Sequence, residues 1–594
     1  MVEPLQKATL KNIQKQVKKI FTETIQKRFN ITDEAVVLPV TNIPGADYQI
    51  PTATKLFHSY KKTQNSFGFA NAEELAKEVI KSLVPNDVIE KVQINDKGFL
   101  VAQVSQKFLE SEITSLLKEG IRFRAEKPSV AAVDFSSPNI AKEMHVGHLR
   151  STIIGESICR ILEFLGHDVK RINHIGDWGT QFGMLIAHMQ DVFPDFMEKQ
   201  PQLSDLESFY VAAKKKFEGD EAFKKRAQLN VVSLQSGNEE SLKAWKICCD
   251  LSRQEFQKIY KRLDITVEEC GESFYNPLIP DVVKELEEKG LVKLDQGAKC
   301  IFIPGKQQPL IAVKKDGGYN YDSTDLAAIR YRIQELKAER LIYITDAGQY
   351  PHFELIFKAA EMAGWLKKPI VAEHMGFGFV LRADGGKFKT SEGDTVKLMS
   401  LLDEAKDRAK KQIMQRIEEH KEGGTTNIEE KEVDEAAEKI GMAAIKYYDL
   451  RQNRISNYKF NYDQMLDPKG NTAVYLLYAY ARLCSIIRKS GMTEKDIEKA
   501  INETGFKITH EHEAVLATCI LRFPETIEMA VDELALHKIT DLLYDIATKV
   551  AEGYNKYRIV GDENQTTRIL LCEAIRRIMK QAFYLIGIEP LEKL

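Results

Sequence analysis

No two of the eight cysteines form a Cys-x-x-Cys pair, and no Cys/His cluster has metal-ligand spacing. Scattered at 159, 248, 249, 270, 300, 484, 519 and 572, they read as packing residues of a reducing compartment, with no structural zinc. The adjacent Cys248-Cys249 fits a helix interior better than chemistry. No apolar run is long enough to span a bilayer, and the N-terminus lacks the apolar core of a secretory signal. Its first thirty residues carry seven Lys/Arg against two Glu, a lysine-rich but acid-containing start that argues against a mitochondrial presequence. The expected location is cytoplasmic, with no membrane partner. A net charge of −3 excludes a globally basic nucleic-acid binder. It leaves room for local basic faces such as Lys214-Lys215-Lys216 and Lys224-Lys225-Arg226, whose plain alternative is a solvated helix face. No internal repeat is evident.

What is present is ordinary in composition and large in size. With 594 residues, 43% hydrophobic and 29% charged, the chain has the makings of three or four globular domains. Residues 5–29 place Leu10, Ile13, Val17, Ile20, Phe21 and Ile25 on one helical face. After a Pro/Gly-punctuated stretch from Pro39 to Pro51 come a helix near 72–83, a strand pair over Ile89–Ser105 and a helix near 106–119. This is an α+β module, taken as residues 1–125. From 126 to 400 apolar runs alternate with helical segments, with strands expected at 130–135, 168–173, 310–313 and 341–345 and an insertion around 205–275. That pattern predicts a Rossmann-type doubly wound parallel sheet with ligands at the carboxyl ends of its strands. Residues 401–594 open with a charged stretch broken at Gly423-Gly424 and become almost wholly helical from Glu435, an all-α bundle. Within it Asn471, Tyr475, Tyr478, Tyr480, Arg482 and Arg488 precede a second cluster, Tyr554, Tyr557 and Arg558. Aromatics at such spacing are usually core. Interleaved with arginine they also suit stacking on unpaired RNA bases.

The most informative stretch is Ser137-Pro138-Asn139-Ile140-Ala141-Lys142-Glu143-Met144-His145-Val146-Gly147-His148. An apolar run, Val130 to Phe135, precedes it. A helical face of Leu149, Ile153, Ile154, Ile158, Ile161, Leu162 and Leu165 follows, with Gly166 as the expected C-terminal stop. The motif therefore lies where a strand hands over to a helix, and free N–H groups and the helix dipole there favour an anion. Two imidazoles, and a glycine that lets a ligand approach the backbone, make it a phosphate site. A second segment, Gly385-Gly386-Lys387-Phe388-Lys389-Thr390-Ser391-Glu392-Gly393, has the composition of a mobile loop able to close over a polyphosphate.

The His-Val-Gly-His and Lys-Phe-Lys-Thr-Ser stretches resemble the two signature motifs of class I aminoacyl-tRNA synthetases. The surroundings resemble the arginyl-tRNA synthetase family along essentially the whole chain. The motifs that carry this are Asp134-Phe135-Ser136-Ser137-Pro138-Asn139, Gly176-Asp177-Trp178-Gly179-Thr180-Gln181-Phe182-Gly183 and Gly271-Glu272-Ser273-Phe274-Tyr275, followed by Asp316 to Leu326 and Asn471 to Tyr478. Gly45-Ala46-Asp47-Tyr48-Gln49 resembles the appended N-terminal domain that binds the tRNA elbow, and the helical C-terminus resembles the anticodon-binding bundle. The resemblance implies ligation of L-arginine to tRNA(Arg) with ATP as substrate and Mg²⁺ accompanying it. It also implies activation of arginine only with tRNA bound. A monomer is expected, and membership of a multi-synthetase assembly stays open.

By the same resemblance Asp325 takes the substrate guanidinium and Tyr321 is its hydroxyl partner, with Asp134 and Glu272 as further candidates. A carboxylate suits a guanidinium fork. The plain alternative for Asp325 is the N-cap of a helix over Leu326–Arg340. Ser137, Asn139, His148 and Gln349 match the groups that hold the α-amino and α-carboxylate ends. His145 and His148 donate to phosphate, Gly147 makes room for adenine, and Asp346, Gly376 and Gly378 line the nucleotide site. Lys387 matches the first lysine of the second motif, but Thr390 stands where the second would be. Lys389 and Lys142 are the candidates to supply that charge. A catalytically dead relative, a small nucleotidyltransferase and a synthetase for another amino acid are the alternatives. Intact histidines, about 190 residues after the loop, and Asp325 with Tyr321 weigh against each in turn.

Overall fold

The computed structural model describes residues 10–594 except 41, 42, 44, 63–66, 200, 202, 204, 383, 387–396 and 422–429. The N-terminal module opens with the helix Ile13–Phe29, whose N-cap Asn12 accepts the Lys15 N–H. The helix buries Ile13, Val17, Phe21 and Ile25, the face its periodicity marks. It accompanies a four-stranded antiparallel sheet in the order Leu38–Pro39, Tyr48–Ile50, Leu100–Val104, Ile89–Ile94.

The central sheet has five strands, all parallel, in the order Val371–His374, Arg340–Tyr343, Val130–Asp134, Asp168–Asn173, Glu268–Glu269. The chain leaves Val130–Asp134 toward one edge, then returns to build the other half through Arg340–Tyr343. This reversal creates a crevice above the carboxyl ends of those two neighbouring strands. The loops at 135–145 and 346–349 open into it. The strand expected at 310–313 exists, but not in this sheet. Leu310–Val313 pairs antiparallel with Ala298–Ile301, at one edge of a separate three-stranded sheet. Its apolar alternation records one buried face and not membership of a parallel sheet. Asp325 and Tyr321 consequently reach the crevice from a helix that follows this small sheet.

The insertion is helical, with Leu206–Gly219, Glu221–Gln235 and Glu239–Arg262 packed beside Thr180–Val192. Beyond it lies the C-terminal bundle. Gly423-Gly424 falls outside the described residues. Among the described residues no helix is long and apolar enough to cross a membrane.

Two seams join the bundle to the rest. In the first, the fully buried Tyr48 donates its hydroxyl to Glu525 at 2.9 Å, and Arg522 donates to the carbonyls of Val40 and Asp47 at 2.9 and 2.6 Å. The Gly45–Gln49 motif thus clamps the N-terminal module onto the bundle. In the second, Arg150 of helix Val146–Phe164 pairs with Asp449 of helix Val433–Leu450 at 3.0 Å, with 1% and 0% of the two side chains exposed. Tyr458 donates to the same Asp449 oxygen at 2.7 Å, and the Arg150 guanidinium also donates to the carbonyls of Gly378 and Ser456. A dry charge left without its partner is costly. Asp449→Ala is therefore expected to lower stability by roughly 3–5 kcal/mol, read as a large drop in the melting temperature of the full chain. The double change Arg150→Met with Asp449→Leu is expected to recover most of that loss. Equal melting of wild type and Asp449→Ala would contradict this.

Candidate active site

The helix Val146–Phe164 begins with His145 as its N-cap, in extended backbone conformation. His145 Nδ1 accepts the Gly147 N–H at 3.0 Å, and His148 Nδ1 accepts the His145 N–H at 3.1 Å, leaving the rings 4.1 Å apart. Two acceptor nitrogens engaged in this way fix both tautomers. Each neutral ring then carries its proton on Nε2 and offers it away from the backbone. Burial, His145 and Lys142 pull the His148 pKa down to about 3, and burial and Lys142 also lower that of His145. Near neutral pH the pair is a set of two uncharged donors at a helix N-terminus. Gly147 has its own reason to be glycine: a Cβ there would stand 2.9 Å from His145 Cε1 and displace the capping ring.

The loop that carries the pair is held under strain. Ser136, Ser137 and Ala141 have φ of 72°, 47° and 62°, a region that disfavours side chains. The compensation is a hydrogen-bond lattice. Ser136 N–H donates to Ser151 Oγ at 2.9 Å, Ser151 Oγ donates to the Ile344 carbonyl at 2.8 Å, and Ala141 N–H donates to Ser252 Oγ at 2.9 Å. Gly155 lets this helix lie directly on Phe135, where a Cβ would come within 2.1 Å of the ring. Asn139 is exposed at the rim, bridged to Gly176 of the next loop.

Across the crevice, Asp325 sits inside the helix Tyr321–Gln334, whose N-cap is Asn320. It is not a cap of a helix over Leu326–Arg340, because Asn320 already takes the Ser323 N–H and the chain turns into a strand at Arg340. The interior position aims Asp325 off the helix side. There His352 Nε2 meets Asp325 Oδ2 at 2.6 Å. Burial pushes the Asp325 carboxyl up, but His352, His174 and Arg332 outweigh it and hold the pKa below the usual range. Tyr321 is 63% exposed, its ring edge-on to His352 at 5.1 Å. Glu272, raised to about 7 by burial and by Asp177 and Asp325, lies at the same pocket. Asp134 has a different task from the substrate contact expected of it. It is buried, and its oxygens are taken by Arg332 at 2.7 Å and by Ser137 Oγ at 3.1 Å, so it anchors the pocket floor. Gln349 is exposed and donates to Asp346 Oδ2 at 3.0 Å, while Asp346 Oδ1 caps the short turn by accepting the Gly348 N–H.

Gly376 and Gly378 are tied to the bundle as much as to the crevice. Arg454 donates to the Gly376 carbonyl at 2.6 Å, Gly378 N–H donates to the Arg454 carbonyl, and a Cβ on Gly378 would lie 2.6 Å from the Ser456 oxygen. Lys387 and Lys389 lie outside the described residues; the two arms of their loop are described. The first arm, Val380–Leu381, pairs in parallel with Tyr458–Lys459 at the foot of the bundle. In the second, Lys397 bridges His145 and pairs with Glu143 at 2.5 Å, and Leu398 N–H donates to the Met144 carbonyl. Lys142 is exposed, its ammonium 5.9 Å from the centre of the Tyr210 ring.

Comparison with known proteins agrees with this geometry. The family profile for the class I (R) tRNA synthetase catalytic domain matches residues 112–462. The DALR anticodon-binding domain matches 476–594, and the arginyl-tRNA synthetase N-terminal domain matches 11–101. The chain belongs to the class I arginyl-tRNA synthetases. It is 43% identical to the cytoplasmic arginine–tRNA ligase of Bos taurus over 99% of this chain and 89% of that protein. To the Homo sapiens cytoplasmic enzyme it is 44% identical, over 98% of this chain and 89% of that one. The crystal structure of arginyl-tRNA synthetase from Plasmodium falciparum superposes with a TM-score of 0.88 at 37% identity, covering 99% of this chain and all of that one.

For a synthetase of this family the bundle residues divide sharply. Tyr480 is fully buried, edge-on to Phe583 at 6.1 Å, and presents no face to a base, so it is core and not a contact. Tyr475 and Tyr478 are half-buried. Arg482 is exposed and lies 3.9 Å over the Tyr554 ring. Asn471 accepts the Tyr447 hydroxyl at 2.5 Å. Sequence reasoning passed over His352, Arg332, Arg150 and Asp449. The place of His352 three residues after Gln349, in Gln349-Tyr350-Pro351-His352, was the one local signal for the first of them.

His148→Ala removes a donor without much core packing. It is expected to lower adenylate formation about 10²-fold or more while lowering the thermal melt only by the loss of one helix cap, about 1 kcal/mol. Gly147→Ala should reproduce a good part of that loss by unseating His145. Single-turnover assays paired with melting curves check both, and a sharp fall in stability with intact turnover would contradict the donor role.

Proposed function

We propose that this chain activates L-arginine with ATP and transfers it to the 3′ end of tRNA(Arg), as a monomer in the cytoplasm. One observation carries the reading. Two locked Nε2–H donors at a helix start face, across the strand-order reversal, a pocket of carboxylates suited to a guanidinium. The first group binds a phosphate and the second an arginine side chain, and the crevice between them is where the two reactants meet.

In the first step the arginine carboxylate attacks the α-phosphate and diphosphate leaves. In the second, the terminal ribose hydroxyl of tRNA takes the arginyl group and AMP leaves. Neither step needs a protein nucleophile, so positioning and stabilisation of charge supply the rate. His145 and His148 donate to the nucleotide phosphates. Mg²⁺ arrives on ATP with most of its waters, and needs no protein cage. Ser137, Asn139, His148 and Gln349 hold the amino acid's α-groups, Asp325, Glu272 and Tyr321 its side chain, and Asp346, Gly376 and Gly378 the nucleoside. Lys142 is already placed beside the histidine pair. Lys387 and Lys389 share the diphosphate charge with it.

Asp325→Asn keeps the shape and removes the charge. Losing one partner of such a pair costs roughly 3–5 kcal/mol, or about 10²–10⁴-fold in kcat/KM for arginine, with ATP KM nearly unchanged. Aminoacylation of bulk tRNA with each of the twenty amino acids tests the assignment as a whole. Charging by arginine alone is expected, and near-normal arginine kinetics in Asp325→Asn would remove Asp325 from the site.

A further inference from the structure

His352 belongs to helix Tyr350–Met362, on the opposite wall from the helix that bears Asp325. Both of its ring nitrogens face carboxylates. Nε2 is 2.6 Å from Asp325 Oδ2, and Nδ1 is 3.4 Å from Asp322 Oδ1. Asp322 is itself buried and accepts the Ile311 N–H at 2.9 Å, so it cannot swing away. A ring with a carboxylate at each nitrogen has no acceptor role left to fill and is held as the imidazolium. That planar cation, with one donor for each aspartate, does what a guanidinium fork would do on the same two groups.

We propose that His352 is a resident cation of the arginine site: before arginine binds it neutralises Asp325, and the incoming guanidinium takes that carboxylate from it with release of the ring proton to solvent. The proposal rests on Asp325 being the guanidinium carboxylate. His352 is then a positioning and specificity residue. It keeps Asp325 ionised in the free enzyme and sets a threshold that only a ligand bearing a stronger, permanent cation passes. A neutral side chain of the same length, such as citrulline's, cannot displace it.

Several charges surround the exchange. On the Asp325 helix are Asp322, Tyr321 and Arg332. From the helix Glu272–Tyr275 comes Glu272 and from the loop after Asp168–Asn173 comes His174, both of which interact with Asp325. Burial pulls the His352 pKa down, but the hydrogen bonds to Asp322 and Asp325 more than offset it and hold the pKa up at about 9. Glu272, at about 7, also gives up a proton when a cation arrives, but has finished titrating by about pH 8. The window that belongs to His352 therefore lies between about pH 8 and 9. There the free enzyme holds up to one more proton than the complex, so arginine affinity rises with pH, about fivefold from pH 8 to 9. Above that window the ring is already neutral and contributes no further rise.

The test is titration calorimetry of the full chain with L-arginine, with saturating tRNA present, across pH 7–9.5 in two buffers of different ionisation enthalpy. Wild type is expected to release about three-quarters of a proton per arginine at pH 8.5. His352→Gln and His352→Asn are expected to release almost none there and to bind arginine with a flat pH profile. Glu272→Gln is expected to keep the release at pH 8.5. A wild-type proton count in both His352 variants would overturn the proposal. Asp325→Asn separates it from the reading beneath: if that variant keeps wild-type arginine affinity, the Asp325 assignment fails. If it loses affinity while the His352 variants titrate like wild type, only the resident-cation proposal fails.

Discussion

The buried pair of Arg150 and Asp449 is the contact on which the rest of the architecture turns. Arg150 comes two residues after the second histidine, on the helix whose N-terminus those histidines cap. Asp449 comes from the bundle, 299 residues later (449 − 150). Neither charge has water to fall back on, so the two helices are held in one register by the cost of separating them. The same guanidinium donates to the Gly378 carbonyl. One side chain thus joins the helix that begins at the histidine pair, the Gly376–Gly378 turn and the bundle.

That junction explains how a distant event can reach the chemistry. The loop bearing Lys387 and Lys389 is anchored at one arm to Tyr458–Lys459 beside Asp449, and at the other to Glu143, Met144 and His145. Any shift of the bundle that moves Tyr458 acts on the first arm while the second stays fixed to the histidines. Under the proposed function, tRNA docking on the bundle reaches the crevice through these two anchored arms, and such coupling requires that tRNA bind one arrangement of them better than another.

Much of this was legible in the chain itself, and the limits are physical. Strands at Val130, Asp168 and Leu341, the helix stop at Gly166 and the inward face of Ile13–Phe29 follow from periodicity, which is local. The histidine pair was readable because its function depends on a strand, a loop and a helix start that are contiguous in sequence. Pairing partners are not local. Leu310–Val313 has the alternation of any half-buried strand, and nothing in four residues tells a parallel sheet from an antiparallel one. For Asp325 a helix cap is the plain alternative to a guanidinium contact, because Asx residues favour caps. Asn320 won that position, and the helix began several residues earlier than the apolar pattern implied. Tyr480 shares its spacing with the half-buried Tyr475 and Tyr478, and only the packing of Phe583 shows which way it points. His352 and Asp449 gained their meaning from residues 27 and 299 positions away (352 − 325 and 449 − 150).

The central claim is that the bundle and the crevice are one mechanical unit, and ATP–diphosphate exchange measures it directly. Exchange with arginine is assayed with and without tRNA(Arg), and again with tRNA whose 3′ end cannot be charged. The account predicts exchange only when tRNA is present, with the unchargeable tRNA supporting it as well. Brisk exchange in the complete absence of tRNA would contradict the account, because activation would then not depend on the bundle.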